Sequence, residues 1–211
     1  MPTLTALAPD PRQPEYRLVE VDRGRFASLP AVALEPLALA VGTELAGPVL
    51  ARLQELADVE AAYRGGLRAL ATRARARFDL RRRLIQKQHP PHAVDTALTR
   101  LAAQGLVDDR RYALEYAGRR AASGRGPARV LADLLAQGVE RGLAEAAVSE
   151  ALAQEGIDPA RAARTVAARR AAQLAGMPPA TKKRRLLAYL ARRGYRGAEV
   201  RELVEELCGS F

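Results

Sequence analysis

Cysteine, tryptophan and histidine are nearly missing from this chain. A single cysteine, Cys208, among 211 residues leaves no internal disulfide to form and suits a reducing compartment. With one thiol and two histidines there is no Cys/His set for a structural zinc. Tryptophan is absent and aromatics make up only 4% of the chain, so its core has to be built from Leu, Val and Ala. β-Branched residues become sparse beyond position 45, and the dominance of Ala, Leu, Arg and Glu points to helix over most of the length. The most apolar run, ASLPAVALEPLALAVG, is broken by two prolines and Glu35 and is too short to cross a bilayer. No secretory leader is visible, so a cytoplasmic protein without membrane contact is expected. Phosphate-cradling glycine loops, Ser/His/Asp sets and nucleophile–base pairs are also lacking, so neither enzymatic activity nor a cofactor is expected.

Positive charge is plentiful. Thirty-four Lys and Arg oppose 24 Asp and Glu, a net charge of +10. The arginines sit inside helical periodicity, so they should be displayed on a folded surface toward a polyanionic or acidic partner.

Residues 1–15 carry four prolines and little periodicity, and are expected to be a disordered extension. Residues 16–46 hold the clearest strand signal. Tyr16, Leu18 and Glu20 alternate with Arg17, Val19 and Val21, and DRGR supplies a turn toward Phe26 and Leu29, which predicts a small N-terminal β-hairpin with room for a third short strand. From Gly47 onward the apolar spacing is helical, with Leu50, Leu53, Leu56 and Val59 on one stripe.

Beyond that the chain repeats itself. With His89, Val139 and Tyr195 as reference positions, Leu84, Leu134 and Leu190 stand five residues earlier, and Leu80, Val130 and Leu186 nine earlier. Val94, Ala144 and Val200 follow five later, Leu98, Val148 and Val204 nine later, and Leu101, Ala151 and Leu207 twelve later. Spacings of 50 and 56 residues suit units of three short helices, at 47–106, 107–156 and 157–211. Units so small should stack, so the predicted fold is mostly α: three tandem three-helix repeats forming an elongated curved body.

Three candidate sites can be weighed. His89 and His92 flank two prolines and offer half a metal site, but no carboxylate cluster accompanies them and His89 occupies a core column. Asp108-Asp109 could serve a Mg²⁺ nuclease, yet a helix start accounts for the pair. The basic clusters are stronger. Arg81, Arg82 and Arg83 lie at the junction into the first copy's middle helix, and Lys182, Lys183, Arg184, Arg185, Tyr189, Arg192 and Arg193 on the third copy's. Arg111, Arg119, Arg120 and Arg125 surround the helix LVDDRRYALEYAGRRAASGRGP. A tyrosine among arginines can stack on a base while guanidiniums hold phosphates, and the same set can grip an acidic protein surface. Tyr112 and Tyr116, one turn apart, read as a packing seam between repeats.

Asp108-Asp109, Arg111-Tyr112-Ala113, Tyr116, Arg120, Gly124, Gly126-Pro127, Val130, Leu134 and Gly138-Val139 together resemble the signature region of the RecX family, the bacterial regulators of the RecA recombinase. The chain departs from that family at Gln88-His89, where members carry Gly and an apolar residue, and at Ala132 and Ala136, where they are more basic. The resemblance implies a monomeric, non-enzymatic protein that binds the groove of the RecA–DNA filament, touches DNA weakly, and inhibits ATP hydrolysis and strand exchange. Two rivals come from other classes. A helix-turn-helix transcriptional regulator would need a recognition helix bearing Asn, Gln or Arg, whereas the third helices here are acidic; an RNA-binding chaperone is the weaker rival.

Overall fold

The computed structural model describes residues 1–209, so the last two positions of the expected third repeat, 210 and 211, lie outside the described residues. Among the described residues there are ten α-helices and one three-stranded sheet. No helix among them is long and apolar enough to cross a membrane. Contacts group the chain into two units, residues 1–74 with 80–107, and residues 75–79 with everything from 108 onward.

The first unit opens on β1 (Leu4–Asp10), β2 (Gln13–Val21) and β3 (Gly24–Pro30), an antiparallel meander in the order β1-β2-β3. Residues 1–15 are therefore not a disordered extension, and the hairpin is a three-stranded sheet. Of their four prolines, Pro9 lies in the edge strand β1, where a missing N–H breaks no second ladder, Pro14 stands at the start of β2 ahead of its pairing with β3, and Pro2 and Pro11 fall outside the strands. Leu4 is fully buried with Val19, Leu29, Leu34, Leu45 and Leu53, and Asp10, itself buried, accepts from the Ser28 hydroxyl at 2.6 Å and the Arg12 amide at 2.9 Å. Asp22 and Arg23 both take positive φ, the two-residue turn whose twist matches that of the flanking strands.

After α1 (Ala31–Leu34) and a 3₁₀ turn (Glu35–Leu37) come α2 (Gly47–Thr72), α3 (Arg77–Gln86) and α4 (Pro91–Ala103), the first helical triplet. An ionic knot joins sheet to helices. Glu60 of α2, 5% exposed, binds Arg64 (2.8 Å) and Arg100 (3.0 Å); Arg100 also reaches the Tyr16 hydroxyl of β2 and lies 3.8 Å over the Tyr63 ring.

The second unit holds the other two triplets: α5 (Asp109–Ala122), α6 (Pro127–Ala136) and α7 (Arg141–Gln154), then α8 (Pro159–Gln173), α9 (Pro179–Arg193) and α10 (Ala198–Cys208). The sequence columns are its core. Leu84, Leu134 and Leu190 are all fully buried; the pattern softens only in the first copy at His89 and in the third at Val200 and Leu207, which are half-buried. Asp108 caps α5 by accepting from Arg111 N, and Asp158 caps α8 in the same way. The first helices bury little but alanine: Ala113, Ala117 and Ala121 in α5, Ala163, Ala167 and Ala171 in α8.

Copies two and three meet through glycine. The Gly126 amide donates to the Arg193 carbonyl at 2.7 Å. Gly194, at φ +91°, closes α9, and a Cβ there would collide with the Arg129 amide, as one on Gly126 would with the Gly194 carbonyl. A similar approach recurs earlier in this unit, where Phe78 lies against Gly138, the residue that closes α6.

Gly105 also has positive φ (+68°) but open space around it. Gly105→Ala should therefore cost only the left-handed backbone, about 1 kcal/mol. Gly194→Ala, which adds a backbone collision, should cost at least about 3 kcal/mol. Denaturant unfolding of both variants checks this, and equal losses would mean that the two loops do not touch.

Candidate partner-binding surface

Several expected site residues turn out to be engaged within the fold. Arg81 is held bidentately by Asp95 of α4 (2.6 and 3.1 Å), which keeps its guanidinium still more firmly protonated. Arg82 and Arg83 are exposed beside it in the first unit. Lys182 donates to the Leu207 carbonyl (2.9 Å) and Lys183 pairs with Glu205 (2.6 Å), so both tie α9 to α10. Arg185 reaches the Met177 sulfur at 3.3 Å, and Arg184 points to solvent. Arg111 is exposed in the first turn of α5, about 12 Å along the axis from Arg119.

A second group converges where the C-terminal ends of α5 and α9 meet. Arg193 donates to the carbonyls of Gly124 (3.3 Å) and Ser123 (3.5 Å), and its Cζ lies 5.2 Å from the centre of the Tyr189 ring. Arg170 of α8 lies over the same ring at 5.3 Å. Arg120 sits 5.0 Å over Tyr116, Arg119 and Arg192 are exposed, and Arg125 is half-buried in the connecting loop. Cation–π contacts at these distances hold long side chains in place while leaving their charge outward. The Tyr189 ring is engaged by two guanidiniums and by the core of the third copy, so a base-stacking role would require displacing its own neighbours.

Arg169 and Arg170 were missed, although a count would have found the region. From residue 159 to 198 there are eleven Lys and Arg and no Asp or Glu. The acidic residues come next, on α10. Glu206 takes Arg164 bidentately (2.6 and 2.9 Å) and Glu205 takes Lys183, and these cations hold both carboxyls below the ordinary range. One edge of the third copy is thus neutralised and the Arg170–Arg193 edge is not.

The tyrosine pair is corrected in place. Tyr112 is buried within the second copy rather than between repeats, with its hydroxyl on Gln137, the residue that follows α6, and its ring lies 6.0 Å from that of Tyr116. Tyr112→Ala should cost about 3 kcal/mol or more in a thermal or denaturant melt, while whatever folds keeps its arginine surface. Loss of partner binding without loss of stability would make the ring itself a contact.

His89 packs against Gly65 of α2, and burial, with Arg68 and Lys87 nearby, lowers its pKa below the ordinary 6.5. Among the described residues no three of His, Cys, Asp or Glu are placed to hold a metal ion. A lowered pKa means that the unfolded chain takes up the proton first. Stability from this group is therefore complete above pH 6.5 and is lost as pH falls from there through the lowered value. Melts of wild type and His89→Gln between pH 7.5 and 5 should converge on acidification.

Comparison with known proteins adds a family. Residues 62–101, 108–148 and 158–204 match the patterns described as the first, second and third three-helix domains of RecX. "Regulatory protein RecX" of Mycobacterium leprae is 36% identical over 143 residues, covering 65% of this chain and 80% of that protein. That of Halorhodospira halophila is 34% identical, covering 67% and 85%. For the Pseudomonas savastanoi relative the match is 39% identical, and the chain spans only 61% of that protein's length. A crystal structure of regulatory protein RecX superposes with a TM-score of 0.74 over 98% of this chain at 20% identity, and one from Lactobacillus salivarius with 0.59 over 71% at 19%.

Proposed function

Because the chain belongs to the RecX family of regulatory proteins, we propose that it acts, without catalysis of its own, as a negative regulator of the RecA recombinase. In this reading it lies as a cytoplasmic monomer in the groove of the RecA–DNA filament, contacts protomers and weakly the DNA, and slows ATP hydrolysis and strand exchange. Recombination and the SOS response to DNA damage are damped as a result. The observation that carries the reading is the uncompensated arginine surface where copies two and three meet, since a filament on DNA presents phosphate and acidic walls to whatever occupies its groove. The acidic third helices speak against a helix-turn-helix reader. α10 carries Glu199, Glu202, Glu205 and Glu206 against one arginine, and would be repelled from a major groove.

Recombinase ATPase on single-stranded DNA tests the proposal. Stoichiometric protein should suppress it, and undiminished turnover would overturn the reading. Replacing Arg119, Arg120, Arg184 and Arg185 by Gln should raise the concentration needed for half-inhibition at least tenfold. The melting temperature should move by no more than a few degrees, because these charges are exposed. Arg81 and Lys183 are poorer choices, since removing either also takes an ion-pair partner from a carboxylate, Asp95 or Glu205.

A further inference from the structure

Among the described residues, the Nε of Arg170 is enclosed by the fold without a hydrogen-bond partner, and nothing from outside can meet it. The Tyr195 hydroxyl is also without a partner among them, but it can be reached. Tyr195 is 5% exposed and lines a cavity of about 740 Å³ beside the start of α6, with its ring against Gly126. Burial raises its pKa above the ordinary 10, so the hydroxyl keeps its proton and has a hydrogen bond to give. Leaving such a group unmet is costly, and the cavity is where an acceptor can approach it.

The cavity lies between the second and third copies. Pro127 and Ala128 of α6 form one wall, Pro159 and Ala163 of α8 another, and Val200 and Leu203 of α10 a third, a size and apolar lining that suit a small ligand. Neither α6 nor α10 starts with a side-chain cap, whereas α8 is capped by Asp158. Charge of both signs also lines the space. Arg161 of α8 and Arg196, just before α10, have no carboxylate partner among the described residues, and Glu199 and Glu202 of α10 have no cation, while Arg164 and Glu206 satisfy each other. Glu199 and Glu202 are one turn apart on a single helix face, so a strand of phosphates would be repelled there. A molecule carrying one ammonium and one carboxylate on an apolar body would find a partner for each.

We propose that this cavity binds short apolar peptides with free ends. Arg161, Arg196 and the Tyr195 hydroxyl take the carboxylate, Glu199 and Glu202 take the ammonium, and the side chains rest on Val200 and Leu203. A ligand so held touches α6 of the second copy and two helices of the third, and braces the Gly126–Arg193 joint beside it. The inference goes beyond the filament reading and does not depend on it.

The test uses the full chain. Trileucine, its N-acetyl form and its C-terminal amide are titrated by calorimetry and by amide NMR read at Ala128. Wild type should bind trileucine saturably, with a Kd on the order of 1 mM or tighter for a ligand of that size. Capping either end should weaken binding about tenfold, since one charge-assisted partner is lost. Tyr195→Phe should also weaken trileucine about tenfold, while its melting temperature stays that of wild type because the hydroxyl removed is bonded to nothing in the fold. Arg161→Gln/Arg196→Gln should bind trileucine and its amide alike, and Glu199→Gln/Glu202→Gln should bind trileucine and its acetyl form alike, which assigns each end. Four results would each overturn the site: no saturable binding of trileucine, equal binding of the three probes by wild type, unchanged binding by Tyr195→Phe, or displacement of trileucine by oligo-dT.

Discussion

A helix face made of alanine has almost no side chain with which to bury surface, so it must lie close to its neighbours to gain anything from packing. That constraint governs the second unit. Ala113, Ala117 and Ala121 of α5 and Ala163, Ala167 and Ala171 of α8 are buried where leucine would hold the helices apart. Close approach has two results. Backbones come within hydrogen-bonding reach of each other, which only glycine permits at Gly126 and Gly194. The flanking arginines are long enough to arch over the narrow helices and lie on tyrosine rings, Arg120 on Tyr116 and Arg170 on Tyr189. The same thinness that weakens the core gathers the charge.

Charge is then sorted by helix. The third helix of a triplet takes carboxylates and turns some of them on its own neighbours, as α10 does with Arg164 and Lys183 and α7 with Arg110. Pairs this exposed contribute little to stability. Their effect is to remove cations from some directions and leave them in others, so a net charge of +10 becomes a directed surface instead of a diffuse one.

Much of this was legible in the residues. The columns through Leu84, Leu134 and Leu190 follow from spacing alone, because a helical period and a buried stripe are local properties. The helix start at Asp108 was readable for the same reason. The edge strand β1 was not, since the four prolines in and around it argue for disorder until the pairing shows that only Pro9 falls within it, on an edge where one side of the ladder is irrelevant. Among the site residues, those that proved to be paired were paired across distance. Arg81 finds Asp95 14 residues away and Lys183 finds Glu205 22 away, and no spacing rule reaches that far. The tyrosine seam was placed between copies because sequence gives the period of a helix and not the direction it faces. Arg170 lay in plain sight within a stretch without carboxylates, yet its orphaned nitrogen is a fact of packing alone.

The hydrogen bond between the Gly126 amide and the Arg193 carbonyl spans 67 residues of chain. On a growing polypeptide the second copy is complete well before its partner exists. At about 5–20 residues per second, translation leaves that amide waiting on the order of 3–13 s for α9 to be made. Until then the second copy presents an open backbone edge, and the third copy is what closes it. The helices of the third copy therefore decide when those of the second are finished.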